Sequence, residues 1–375
     1  MGRYIGGEFW YDQSLICENK QLEINDAYFF NGGRASLIII CRFLKSRGIH
    51  KVLMPVFLCP SVLDVFDLME VEYAFYDITE DLRIDSCDLL KKAEYAGAVF
   101  FINYFGFPRK EDEAITLSEL KAAGKIVIED NAQFVYSNKR IGSLSFNSFR
   151  KIVPYDGSFL YSDFQLEHLC EGLKEVESTR AALVREARRI KTEFIRSAAC
   201  EDKFCVTRSR TNFIAGRTPD EREYLEKFDR AEEVYNRENV ILGDALEKEM
   251  IERLNWYEII KKRIENYMFA NDLLSGSKYM RPVCPVPDEG FIPLGLPVYI
   301  SKVERDALRQ KLIERKVFLP VHWDIGKDPR VKRNPLALEM SKNILTLVID
   351  QRYGKADMEY MVGMIDSLVE ERYGI

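Results

Sequence analysis

The chain has only three histidines, His50, His168 and His322, and they lie far apart. Its eight cysteines, Cys17, Cys41, Cys59, Cys87, Cys170, Cys200, Cys205 and Cys284, include no C-x-x-C pair. These scarcities exclude the ligand spacings of a zinc site, and no metal is expected. Scattered cysteines of this kind are expected to be mostly buried thiols in a reducing compartment. No apolar run reaches the roughly 18–20 residues needed to cross a bilayer. A basic excess is also missing: 54 Lys and Arg stand against 60 Asp and Glu, a net charge of −6, which argues against nucleic acid as a partner. Glycine (21) and proline (13) are too sparse for a fibrous or low-complexity chain. The stretch from Met1 to Phe9 lacks the apolar core of a signal peptide, and Gly6 stands where a myristoylation signal has Ser or Thr. The expectation is a cytoplasmic protein that takes a small molecule and binds neither membrane nor nucleic acid.

What is present is ordinary globular material. Hydrophobic residues make up 47 % of 375 positions, enough for a sizeable core and about two domains. Short apolar runs at Tyr28–Phe30, Lys51–Met54, Val71–Tyr76, Ala98–Asn103 and Lys125–Asp130 predict strands. Helical patterns separate them at Ala35–Leu44, Cys59–Met69, Asp85–Glu94 and Thr116–Ala123. Runs apolar on both faces with helices between them predict an α/β layer with a mostly parallel sheet. From Leu166 to about Phe194, and over 221–274, charges are dense and apolar residues fall at helical spacing, while 200–220 reads as an irregular loop. Beyond Pro282, strands are predicted at Phe291–Leu294, Leu296–Ile300 and Ile344–Ile349, with helices at Lys302–Arg315 and Ala356–Val369. The predicted division is a large domain over 1–250 and a small α/β domain over 251–375.

Ligands of such sheets sit beyond the carboxyl ends of the strands, so the residues there are the candidates. Asn31-Gly32-Gly33-Arg34-Ala35-Ser36 opens the first helix. Its glycines let backbone approach an anion, the helix start offers free N–H groups, and Arg34 can add a two-pronged phosphate contact; an ordinary turn is the competing reading. Glu129-Asp130-Asn131-Ala132-Gln133 follows an apolar strand, and its acid is either a helix cap or the charge partner of a cofactor nitrogen. Ser148-Phe149-Arg150-Lys151 precedes the glycine turn Tyr155-Asp156-Gly157-Ser158.

The order of these elements resembles the type I pyridoxal-phosphate (PLP) enzymes, and more closely the DegT/DnrJ/EryC1/StrS sugar aminotransferases. Gly33-Arg34-Ala35 sits where that family has its phosphate turn, and Glu129–Gln133 resembles its Glu-Asp-x-Ala-Gln segment. Ser148 and Phe149 followed by Lys151 resemble the segment that supplies the Schiff-base lysine. Arg263, Asn266 and Tyr267, His322-Trp323, and Ile344–Leu347 resemble later family segments. Three departures mark a divergent branch: only Arg150 separates Ser148-Phe149 from Lys151, the turn after the lysine ends in Gly157-Ser158, and Cys59 stands near the position of the ring-stacking aromatic.

The resemblance implies a large and a small domain, a homodimer, PLP as cofactor, and transfer of an amino group from glutamate to a keto-sugar. By the same resemblance Lys151 is the catalytic lysine, Asp130 pairs with the pyridine nitrogen, and Gln133 meets the ring hydroxyl. Gly33, Arg34, Ala35 and Ser148 surround the phosphate, with Cys59 near the ring. Arg150, His322, Trp323 and Arg352 are candidates for the substrate side; an ion pair is the competing reading for Arg352, and packing for His322 and Trp323. Two alternatives stay open: a sugar dehydratase, against which Lys151 itself speaks, and a protein that keeps this fold for binding or assembly.

Overall fold

The computed structural model describes residues 3–24, 26–134, 140–173, 179–201, 221–237, 242–284, 289–331 and 334–373. Among these, a seven-stranded sheet is built from β2 (Tyr28–Phe30), β3 (Lys51–Pro55), β4 (Glu72–Tyr76), β5 (Ala98–Ile102), β6 (Ile126–Asn131), β7 (Leu144–Asn147) and β8 (Ser158–Ser162). The short strand β1 (Ile5–Gly6) precedes them and pairs elsewhere. The sheet order is β2-β8-β7-β6-β5-β3-β4, and β8 alone runs against its neighbours. The expected mostly parallel sheet is therefore present. Strand β5, Ala-Val-Phe-Phe-Ile, is buried throughout, as a central strand covered on both faces must be. The helices α1 (Gly33–Ser46), α2 (Pro60–Leu68), α3 (Ser86–Ala93) and α4 (Glu111–Ala122) form the connections.

A second, antiparallel sheet of order β12-β10-β9 lies in the C-terminal part, from β9 (Met280–Pro282), β10 (Leu296–Ile300) and β12 (Ile344–Leu347). The N-terminal strand β1 crosses to this part and pairs in parallel with β11 (Val317–Phe318). Among the described residues the remaining helices are α5 (Glu167–Cys170), α6 (Thr179–Glu201), α7 (Glu221–Arg237), α8 (Ala245–Arg253), α9 (Trp256–Leu273), α10 (Arg305–Glu314), α11 (Pro335–Asn343) and α12 (Lys355–Tyr373). No helix among the described residues is long and apolar enough to cross a membrane.

Several expectations need correction. Phe291–Leu294 is not a strand: Pro293 has no N–H for a ladder, and Ile292 and Leu294 instead donate to the carbonyls of Gly106 and Phe105, both at 2.9 Å. Helix α4 begins at Glu111, five residues before the apolar pattern, because Glu113 accepts the Lys110 N–H at 2.9 Å and caps an acidic first turn. The long helical reading over 221–274 is broken where the side chains of Asp244 and Asn255 cap new helices. Helix α11 is absent from the predicted helices, yet it carries its own signal, an Asn334 cap followed by Pro335. Of the six described cysteines only Cys41 is buried, so the expectation of mostly buried thiols fails. Most of the 200–220 loop and residues 285–288 and 332–333 lie outside the described residues.

Gly106 ties the two sheets together. It sits at φ +82°, and a Cβ there would lie 1.8 Å from the Ile292 carbonyl oxygen. Since that neighbour is backbone, Gly106→Ala should lower the unfolding free energy by about 2 kcal/mol or more, read as a fall in the urea midpoint at constant slope.

Candidate active site

Strands β3, β5, β6 and β7 are parallel, so their carboxyl ends gather at one edge of the sheet. Val56–Cys59, Asn103, Asp130–Gln133 and Asn147–Lys151 all emerge there. Asp130 is held between Ile102 of β5 and Phe146 of β7 by strand register. Its carboxylate accepts the Ala132 N–H at 2.8 Å, an Asx-type turn that ends the strand. Burial pushes the Asp130 carboxyl up to about 7, against the pull of that hydrogen bond and of Lys151. Gln133 is buried; its Oε1 accepts the Phe105 N–H at 2.8 Å, while its Nε2 has no hydrogen-bond partner among the described residues.

Glu129 has a different task. Its two oxygens take the side-chain amides of Asn103 (3.0 Å) and Asn131 (3.1 Å) and the backbone N–H groups of Ile141 and Gly142 (both 2.9 Å). It clamps the return of the chain toward β7, a role the Glu-Asp dipeptide alone does not reveal.

Lys151 ends a 3-10 turn (Phe149–Lys151) that starts at the buried Ser148, whose side chain makes no capping bond. Two donors fix the backbone just beyond it: the Ile152 carbonyl accepts from Arg263 Nη2 at 3.1 Å and Gln351 Nε2 at 2.8 Å. Arg263 also donates to the carbonyls of Pro293 and Leu294, both at 3.0 Å, so it positions the lysine rather than contacting it. Burial and then Arg150 lower the Lys151 amine below its ordinary value, while Cys59, Glu8 and Asp130 pull it back. The structure thus brings Cys59, Asp130 and Lys151 within electrostatic reach; Cys59 Sγ itself lies 3.0 Å from Ser61 Oγ. His322 joins them: burial and then Lys151 depress its imidazole to about 3, so it is neutral, and its Nδ1 meets Thr346 Oγ1 at 3.0 Å. Trp323 packs against Phe57 (5.6 Å) and Tyr104 (6.1 Å) and does not line the cleft described next.

A cleft of about 430 Å³ opens over Lys151, lined also by Arg150, His322, Arg352 and the N-terminal segment from Tyr4 to Phe9. Arg352 forms a two-pronged pair with Asp350 (2.9 and 2.8 Å) and stacks on Phe9 (4.1 Å) and Trp10 (4.4 Å). It meets the ion-pair reading and still forms part of the cleft wall. The glycine start of α1 carries Arg34, 3.6 Å from Glu232 of α7; Ala35 is buried and its N–H returns to the Gly32 carbonyl at 3.0 Å. Arg150 and Arg180 also pair with Glu232. Burial pushes the Glu232 carboxyl up, but the three arginines hold it below its ordinary value. Asp156, in the turn after Lys151, is gripped by Arg180 and by Arg188 (3.0 Å), and its N–H donates to Glu247 at 2.7 Å. Helix α6 is thereby riveted to the lysine loop. Among the described residues no cluster of His, Cys, Asp or Glu could hold a metal ion.

The sequence matches no family model and no curated protein. Solved structures do match. DesV of S. venezuelae in complex with a ketimine intermediate is 17 % identical, with a TM-score of 0.61, over 93 % of this chain and 86 % of that one. Helicobacter pylori PseC, an aminotransferase involved in pseudoaminic acid biosynthesis, is 13 % identical, with a TM-score of 0.60, over 96 % and 94 %. DesI with its TDP-sugar product is 14 % identical, with a TM-score of 0.62, over 92 % and 81 %. This chain has the fold of these proteins, the type I fold of PLP enzymes.

The acid at the strand end yields a signed prediction. Between about pH 4 and 7 folded Asp130 holds a proton that the unfolded chain has released, so its contribution to stability falls as pH rises through that window. Asp130→Asn removes that fall. At pH 8 the ligand-free variant should be more stable than the parent by on the order of 1 kcal/mol or more, with the difference closing near pH 4. Urea unfolding at both pH values measures it.

Proposed function

We propose that this protein is a PLP-dependent aminotransferase that moves an amino group from glutamate to a keto-sugar. One observation carries the reading: a lysine of depressed basicity, a buried acid held protonated to about 7, and a buried amide with an unused N–H converge at the carboxyl ends of parallel strands. Each is incomplete without a ligand, and each fits a different atom of PLP. Asp130 gains the charge partner that offsets its desolvation when a protonated ring nitrogen faces it. Gln133 Nε2 gains an acceptor in the ring hydroxyl. Lys151 has a raised share of neutral amine, which would hold the aldehyde carbon with loss of water and, once the substrate's amine displaces it, would be free to carry a proton at Nζ. PLP, when bound, supplies the electron sink for the carbon that loses that proton.

The phosphate belongs at the start of α1, near Gly33, Arg34, Ala35 and Ser148, because the positive end of a helix dipole favours an anion. His322, neutral and locked by Thr346, and Arg150 and Arg352 line the space left for substrate. The sugar class is supported by the shared fold, since DesI was solved with a TDP-sugar product. The homodimer, the division into 1–250 and 251–375, and a cytoplasmic setting belong to this same reading.

The direct test is spectroscopic. Protein loaded with PLP should be yellow and bleach on adding glutamate. Borohydride reduction and peptide mapping should place the label on Lys151; a label elsewhere sinks the assignment. Lys151→Ala should still bind cofactor yet lose at least about 100-fold in turnover. A protein that never takes up PLP sides with the binding or assembly alternative.

Glu232 gives a second prediction. A phosphate at Arg34 competes with this carboxylate for the same guanidinium group. Glu232→Gln should tighten PLP binding by a factor of roughly 3–10, measured by fluorescence titration, while Arg34→Ala weakens it.

A further inference from the structure

A second lysine lines the cleft that Lys151 opens into. Lys191 of α6 is 1 % exposed. Its Nζ lies 5.2 Å from the ring centre of Tyr4, 5.4 Å from Tyr224 and 5.7 Å from Trp10. Among the described residues it has neither a hydrogen bond nor a carboxylate within ion-pair distance. At Gly7 even a Cβ would come within 3.3 Å of the amine, so the lysine reaches the backbone of the cleft wall.

An ammonium group has three N–H donors, and burying them unpaired is costly. Aromatic faces attract the charge but do not take its hydrogen bonds. The acids that act on it are Glu8, Glu221 and Asp350, and Arg352 acts against it. Asp350 is taken up by Arg352, Glu221 pairs with Lys316 at 2.9 Å, and Glu8 is exposed on the N-terminal segment. The tyrosine hydroxyls of Tyr4 and Tyr224 bond each other at 3.1 Å. The helix carrying the lysine is fixed next to it: Thr192 Oγ1 donates to the Arg188 carbonyl at 2.7 Å and accepts the Tyr11 N–H at 3.0 Å. The amine is therefore held in place, facing the cleft, with its donors unspent.

We propose that Lys191, boxed by Tyr4, Trp10 and Tyr224, is the subsite that receives an oxyanion of the substrate, a carboxylate or a phosphate group. This rests on reading the cleft as the substrate site. Burial and Arg352 push the free amine down to about 7, against Glu8, Glu221 and Asp350. An anion seated on it raises that value, so binding takes up a proton, and affinity falls as pH rises above about 7 toward the raised value.

The test uses the full chain with its lysines reductively dimethylated with 13C-formaldehyde and followed by NMR across pH. Lys191→Arg, which keeps the charge and is not labelled, assigns the resonance. Without ligand the signal should titrate near 7. At constant ionic strength, saturating L-glutamate or UDP should move the midpoint up by about 1–3 pH units. A response to glutamate alone assigns a carboxylate subsite, and a response to UDP alone a diphosphate subsite. A midpoint that neither anion moves overturns the proposal. PLP uptake is read on the same preparation before labelling, by absorbance. Protein that takes no PLP but whose Lys191 responds keeps this subsite and loses the aminotransferase reading; protein that takes PLP with an unresponsive Lys191 loses only the subsite.

Discussion

Desolvation at the carboxyl edge of the parallel sheet governs the chemistry of this molecule. Strands buried on both faces place their last residues beside a packed core, where burial penalises a charge. The side chains that emerge there, Asp130, Gln133 and Lys151, and His322 that faces them from beyond β11, sit in a medium that penalises charge. An acid is held protonated to about 7, a lysine loses basicity and a histidine stays neutral. These are the directions a site needs when its polar groups are to be completed by a ligand rather than by one another.

The same penalty makes the surrounding ion pairs informative. Asp156 is buried but held well below its usual range, because Arg180 and Arg188 outweigh the cost of its burial. Glu247, which accepts the Asp156 N–H, goes the other way, up to about 7, through burial and the neighbouring Asp156 charge. One network therefore fixes the lysine loop to α6 and α8 with charges that compensate internally, and breaking a single member would strand its partners. Asp130 and Lys191 lack such compensation, and that difference separates the scaffold from the candidate site.

Much of the candidate site was legible in the order of motifs. Asp130 and Gln133 follow a run too apolar to be anything but a central strand, and Lys151 follows Ser148 closely. The supporting residues were not legible. Glu129 looks like a second candidate acid until its four hydrogen bonds are seen. Arg263 and Gln351 are about 90 residues apart and meet on the Ile152 carbonyl. Lys191 and Glu232 sit in charged helical stretches that read as solvated faces, because periodicity marks an apolar stripe but does not say what will cover the polar side.

The sequence by itself determined the α/β class, the strands β3 to β6 and the residues at their carboxyl ends, since burial pattern and strand ends are local properties of the chain. The tertiary structure decided which cations are paired and which are left waiting. It set Arg352 on Asp350, Arg34 beside Glu232 and Lys191 among three aromatic rings. The physical reason is that a charge is stabilised or penalised by whatever the fold brings within a few ångströms, and here that comes from segments far apart in the chain, Tyr4 and Tyr224 around Lys191 among them.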